Sequence, residues 1–192
     1  MPRPSLWPRA RGFAAFALLT GVGACGLEAL DTTDVGDAPT CQDLATWPAE
    51  STAEEDDLLD LIADIRTRGT MCGDADAPGV EELELAGPLR CTARRHAADL
   101  SRHPELGLSH DGSDGSTPLS RANVSGYGGI TRHEILAADH PTAQSVFDAW
   151  MADPPTCELI MERSIDEVVA GHARSPERDR IVWVLVTGQL RD

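Results

Sequence analysis

The chain has no lysine. All 16 of its basic residues are arginines, set against 32 aspartates and glutamates in 192 residues. The formal net charge of −16 disfavours nucleic acid and anionic lipid as partners, because a surface of that sign repels phosphate over a Debye length. No CxxC pair occurs among the five cysteines, which argues against a zinc site built from thiolates. There is no internal repeat and no long low-complexity run. The apolar stretch Phe13 to Ala24 is shorter than the roughly 20 residues that a membrane-spanning helix needs. What remains is a hydrophobic content of 41%, enough for a sizeable core and consistent with one domain plus extras.

The N-terminus has the charge pattern of a targeting segment. Arg3, Arg9 and Arg11 precede the apolar stretch without any acid, and the stretch closes on Val22-Gly23-Ala24-Cys25. A small residue immediately before a cysteine resembles a bacterial lipobox. On that reading residues 1–24 are a lipoprotein-type signal peptide, Cys25 is the lipidated first residue of the mature chain, and the membrane is a partner through the acyl anchor. The alternative is an ordinary secretory signal cut near Ala24, which leaves a soluble secreted protein.

Export implies an oxidising compartment, and Cys41, Cys72, Cys91 and Cys157 then form an even set that reads as two disulfides. Element order favours Cys72–Cys91, since a loop after one helix can fold back on the start of the next. Cys41–Cys157 follows by elimination. Residues 25–51, rich in Asp, Thr, Pro and Gly, read as a tether ordered only near Cys41 and Trp47.

The domain itself is expected over 52–192. Ser51-Thr52-Ala53-Glu54 reads as a capping box, and Leu58, Leu59, Ile62 and Ile65 at helical spacing predict a helix over 53–68. A loop over 70–87 and a second helix over 89–103 follow; His96 on that helix reads as a hydrogen-bonded residue near the core. A short helix over 118–124, a strand-like piece over 130–137 and a helix over 142–151 come next. Asp153-Pro154-Pro155 ends that helix, and one further turn is expected over 156–161. Two strands are expected over 165–173 and 180–189. In the last of these Val182, Val184 and Val186 alternate with Ile181, Trp183 and Leu185, the pattern of a strand buried on both faces. The fold class expected is α/β, a three-layer α/β/α sandwich around a small, mainly antiparallel sheet.

Chemistry-bearing residues concentrate between Leu108 and Met161. His110, Glu134 and Asp153 are spaced so that separate elements carry them, and a shared cleft would give them an acid–base or divalent-metal role. The Asp-Gly-Ser turn after His110 lacks the spacing and terminal Glu of an EF-hand loop. Ser109 beside His110 is no catalytic triad, because adjacency in sequence is not the required geometry.

These residues carry a resemblance. His96-Ala97, Leu108-Ser109-His110, Asp114-Gly115-Ser116-Thr117-Pro118, Arg121, Gly126-Tyr127, His133-Glu134-Ile135-Leu136-Ala137, Ala149-Trp150-Met151 and Glu167-Val168-Val169-Ala170-Gly171 follow the motif order of the CAP superfamily. That superfamily comprises cysteine-rich secretory, antigen 5 and pathogenesis-related proteins, and the chain is most similar to its short bacterial secreted branch. The resemblance implies a cleft lined by two histidines and one or two acids, often able to hold a divalent metal. Position by position, the first histidine is His110, the acids are Glu134 and Asp153, and Thr156 stands where the second histidine belongs. A hydroxyl is a poor zinc ligand beside imidazole, so any divalent metal is expected to bind weakly. His133, His140 and His172 are further imidazoles without a motif. The resemblance therefore implies a binding module for a lipid, glycan or protein ligand, with a degraded metal cleft. A metal-assisted hydrolase using Glu134 and His110, and a non-catalytic structural envelope protein, are the alternatives.

Overall fold

The structure, a computed structural model, describes residues 34–191. Cys25 and the signal-peptide reading lie outside the described residues.

Ten helices and strands follow one another among the described residues: helix α1 (Ala49–Arg68), a small hairpin of β1 (Thr70–Cys72) and β2 (Ala75–Ala77), helices α2 (Gly87–Arg102) and α3 (Pro118–Val124), strand β3 (Ile130–Ala138), helices α4 (Ala143–Ala152) and α5 (Pro154–Ile160), and strands β4 (Glu167–Ser175) and β5 (Arg180–Gln189). The main sheet is antiparallel with order β3-β5-β4, so the last strand is its centre. Period-two alternation sends β5 side chains to opposite faces. Trp183 and Leu185 join Leu58, Leu59, Ile62, Val146 and Trp150 beneath α1 and α4. Val182, Val184 and Val186 meet Leu89, Ala93, Ala97 and Leu100 beneath α2. The result is the three-layer α/β/α sandwich. Gly171 lets α2 seat directly on β4, because a Cβ there would fall inside the Ala93 backbone.

Three expectations are corrected. First, α1 begins at Ala49, after Pro48, with no side-chain cap. Ser51 therefore lies inside the helix, buried, and its Oγ faces His172 Nδ1 at 3.1 Å instead of capping. Second, the 70–87 segment opens with the β1–β2 hairpin. Third, the disulfides are Cys41–Cys91 and Cys72–Cys157, with Cα separations of 5.6 and 5.5 Å. The hairpin places Cys72 beside Cys157 and Met161 of the α5 region. Cys91 sits on α2, which covers the opposite face of the sheet. Packed layers lie about 10 Å apart and a bridge needs Cα atoms within about 7 Å, so Cys72 and Cys91 cannot pair.

Cys91 is met instead by the segment before α1. Val35, Cys41 and Leu44 of that segment are buried against it, the last two in a 3-10 turn over Pro39–Leu44. Arg94 of α2 donates from Nη1 to Leu44 O at 3.2 Å, and Trp47 Nε1–H donates to His172 O at 3.1 Å. From residue 34 onward the stretch expected as a tether is thus packed on the domain. No helix among the described residues is long and apolar enough to cross a membrane.

Candidate functional site

The loop after α2 is pinned by two side chains of that helix. His96 Nε2 lies 2.9 Å from Ser109 O, and the Asp99 carboxylate accepts from Ser113 N–H and Oγ–H at 2.7 and 2.6 Å. His110 is thereby held at the surface with 59% of its side chain exposed, its Nδ1 2.9 Å from Glu134 Oε1. A capping box of Thr117 and Ser120 starts α3 and turns Arg121 inward. Arg121 donates from Nη1 to Ser116 O at 2.8 Å, and from Nη2 to His110 O at 3.0 Å and to Glu134 Oε2 at 2.7 Å. The side chains of Arg121 and Glu134 are 4% and 3% exposed, so this ion pair is buried. His96 Nε2 stands 3.7 Å from Glu134 Oε1. Burial holds the His96 imidazole below its ordinary range, with the Glu134 charge pulling the other way. His96 is therefore the hydrogen-bonded core histidine that its helical position predicts.

A shallow hollow of about 350 Å³ opens beside this pair, lined by His110, Thr117, Leu119, Thr131, His133 and Glu134 among others. Asp153 is not among its lining residues. Its Oδ2 accepts from Thr156 N–H at 3.2 Å and Thr156 Oγ–H at 2.6 Å, capping the N-terminus of α5. The expected trio is thus a pair, and the Asp153 carboxylate and Thr156 hydroxyl engage each other. The physical reason is local: after Pro154 and Pro155, which have no N–H, Thr156 carries the first free backbone N–H of the helix, and the acid before them caps it.

The remaining imidazoles are dispersed. Along β3, Leu136 packs toward α2 while Ile135 and Ala137 pack toward α1. Alternation places Glu134 on the α2 side, while His133, which borders the same hollow, pairs with Glu162. The Ser164 hydroxyl, with His133 and Arg132, holds the Glu162 carboxyl down at about 2 against burial. The His140 carbonyl accepts from Trp183 Nε1–H at 2.9 Å, and His172 lies in the core against Trp183.

The donor set does not fit a divalent ion. The Arg121 guanidinium already supplies positive charge to Glu134, and the Ser109 carbonyl engages the buried His96. Among the described residues, no three His, Cys, Asp or Glu side chains form a group that could hold a metal. Nor is Ser109 an activated nucleophile, since its hydroxyl donates to Asp111 O and accepts Asp111 N–H in a local turn. What the arrangement offers is a surface imidazole steered by a buried, charge-neutralised carboxylate. The sequence marks Arg121 only as a motif position; an arginine on the inner side of a short helix is the available sign of a buried ion pair.

The family model of the cysteine-rich secretory protein (CAP) family matches residues 59–187. The chain belongs to this family. Two solved structures share the CAP domain's shape. An outer surface protein of Borrelia burgdorferi aligns with a TM-score of 0.55 at 20% identity, over 70% of this chain and 90% of that one. An extracellular protein containing an SCP domain from Bacillus anthracis aligns with a TM-score of 0.58 at 15% identity, over 72% of this chain and 41% of that one. At these identities the likeness is one of fold. No curated protein matches.

Proposed function

We propose that this CAP-family chain is an extracytoplasmic binding module, tethered to a membrane through a lipidated Cys25, with a degraded metal cleft. It recognises a lipid, glycan or protein ligand without chemistry. The observation that carries the reading is the buried Arg121–Glu134 ion pair. It occupies the family's acid with a guanidinium, while Thr156, standing where the second histidine belongs, is turned to Asp153. The signal-like N-terminus and the outer-surface and extracellular character of the two structural neighbours support the location.

Calorimetric titration with zinc and calcium tests the degraded cleft, and silence with both is expected. Micromolar binding that His110→Ala abolishes would restore the metal reading. A hydrolase screen of the purified protein tests the absence of chemistry; turnover lost in Glu134→Gln would replace the binding module by an enzyme. Cys25→Ser is expected to move the protein from the membrane fraction to the soluble one.

A further inference from the structure

The hollow beside Glu134 differs in charge from the rest of the molecule. The chain carries 32 acids against 16 arginines, yet Glu134 is the one acid in this lining, beside Arg132, His110 and His133. Arg121 answers the Glu134 charge from the buried side at 2.7 Å. The neighbouring Glu162 carboxylate is answered in turn by Arg132 at 2.7 Å and by the His133 imidazole. Neither carboxylate is left unpaired to attract a cation. Salt screens more distant charges over about 8 Å, so these local groups decide which small ion is held.

The lining also keeps polar atoms open to solvent. Arg132 uses only Nη2 within the protein, toward Glu162 Oε1 at 2.7 Å and Ser164 Oγ at 3.1 Å. Its Nε and Nη1 have no protein partner among the described residues, and 33% of the side chain is exposed. His110 donates Nδ1–H to the Glu134 carboxylate, so the neutral ring presents the Nε2 lone pair from a mostly exposed side chain. Thr117 and Thr131 add hydroxyls, and Pro118 with Leu119 forms an apolar wall. Leu119 is 62% exposed, a large side chain that packing alone does not explain. A volume of about 350 Å³ is at the small end of ligand sites and suits one ring.

We infer that this hollow binds an acidic sugar, a ring with one carboxylate and several hydroxyls. The carboxylate meets the Arg132 guanidinium in a charge-assisted hydrogen bond. A ring hydroxyl donates to His110 Nε2, and the threonines take further hydroxyls. Pro118 and Leu119 cover the C–H face of the ring. A single negative charge is what the site accommodates, since a polyanion would meet the repulsion of the whole acidic chain. The inference rests on the binding-module reading and narrows its ligand to a glycan.

The test is calorimetry of the purified full chain with glucuronate, glucose, glucosamine and cyclohexanecarboxylate. Glucuronate is expected to bind with a Kd on the order of 1 mM, at least about ten-fold tighter than glucose or cyclohexanecarboxylate, with glucosamine silent. Arg132→Gln is expected to reduce glucuronate to the affinity of glucose. Glu162→Gln removes the carboxylate that competes for Arg132 and is expected to tighten glucuronate several-fold, a gain that a merely structural role would not produce. Leu119→Ala, at an exposed position, is expected to weaken glucuronate several-fold with the thermal midpoint unchanged. Glucose or cyclohexanecarboxylate bound as tightly as glucuronate, preference for glucosamine, or no saturable binding of glucuronate overturns the inference. Binding undiminished in both Arg132→Gln and Leu119→Ala overturns its placement. Zinc binding lost in His110→Ala, or turnover in the hydrolase screen, would sink the binding-module reading; silence of glucuronate with those two assays also silent sinks the acidic-sugar inference alone.

Discussion

Arg121 Nη2 stands 2.7 Å from Glu134 Oε2, with both side chains almost wholly shielded from water. The contact joins α3 to β3 and settles the charge of the one motif acid that the fold brings beside His110. Breaking a buried pair from one side strands the other charge. Arg121→Ala is expected to cost about 3–5 kcal/mol, and the double variant Arg121→Ala/Glu134→Gln less than the sum of the single changes. Urea unfolding of the four proteins measures this; additive losses would show that the two groups act separately.

The bridges Cys41–Cys91 and Cys72–Cys157 span 50 and 85 residues. Chain-entropy arguments put each at about 4 kcal/mol. Peptide mapping without reductant is expected to recover these two pairs and no free thiol among the four. Cys41→Ser/Cys91→Ser is expected to loosen the segment before α1, seen as cleavage between residues 34 and 48 by added protease. A recovered Cys72–Cys91 peptide would contradict the layer arrangement.

His172 predicts a pH dependence. Burial lowers its folded-state pKa from 6.5 to about 4. Between those values the unfolded chain binds the extra proton, so stability is fully present above about pH 6.5 and falls as the pH drops toward 4. The shift corresponds to an upper bound of about 3 kcal/mol. Burial raises the Glu55 and Glu167 carboxyls, which act in the opposite direction, so the comparison must be with a variant. His172→Gln is expected to lose stability at pH 7 and to show a flatter decline from pH 7 to 4.5 in urea midpoints. An unchanged slope would mean that His172 does not titrate in the fold.

Residues whose role follows from periodicity were legible. Leu58, Leu59 and Ile62 recur on one helical face and do face the core. A different kind of residue escaped. Glu55 shares the apolar face of α1 with Leu58 and Ile62, and its Oε2 lies 2.7 Å from Arg94 Nη2, both fully buried. An acid inside an apolar stripe is the sign of such a pair, but its partner sits on another helix. Thr142 and Ser145 form the capping box that starts α4, a local pattern that the sequence carries in full. His110 and Glu134 were recognisable through motif order; that Asp153 turns to Thr156 was not, because a cap and a cleft make the same demand on an isolated acid.

The amino-acid sequence alone determined the layers. Apolar residues alternate along the last strand, and repeat at helical spacing in the segments that cover it, because burying both faces of one central strand leaves few other arrangements. It also determined that four cysteines pair and that the chain is acidic. Only the tertiary structure decided which cysteines meet, which arginine neutralises Glu134, and that the segment carrying Trp47 reaches His172. Those outcomes depend on which face of the sheet each helix takes. No local pattern carries that information, since pairing across layers is set by distances between elements remote along the chain.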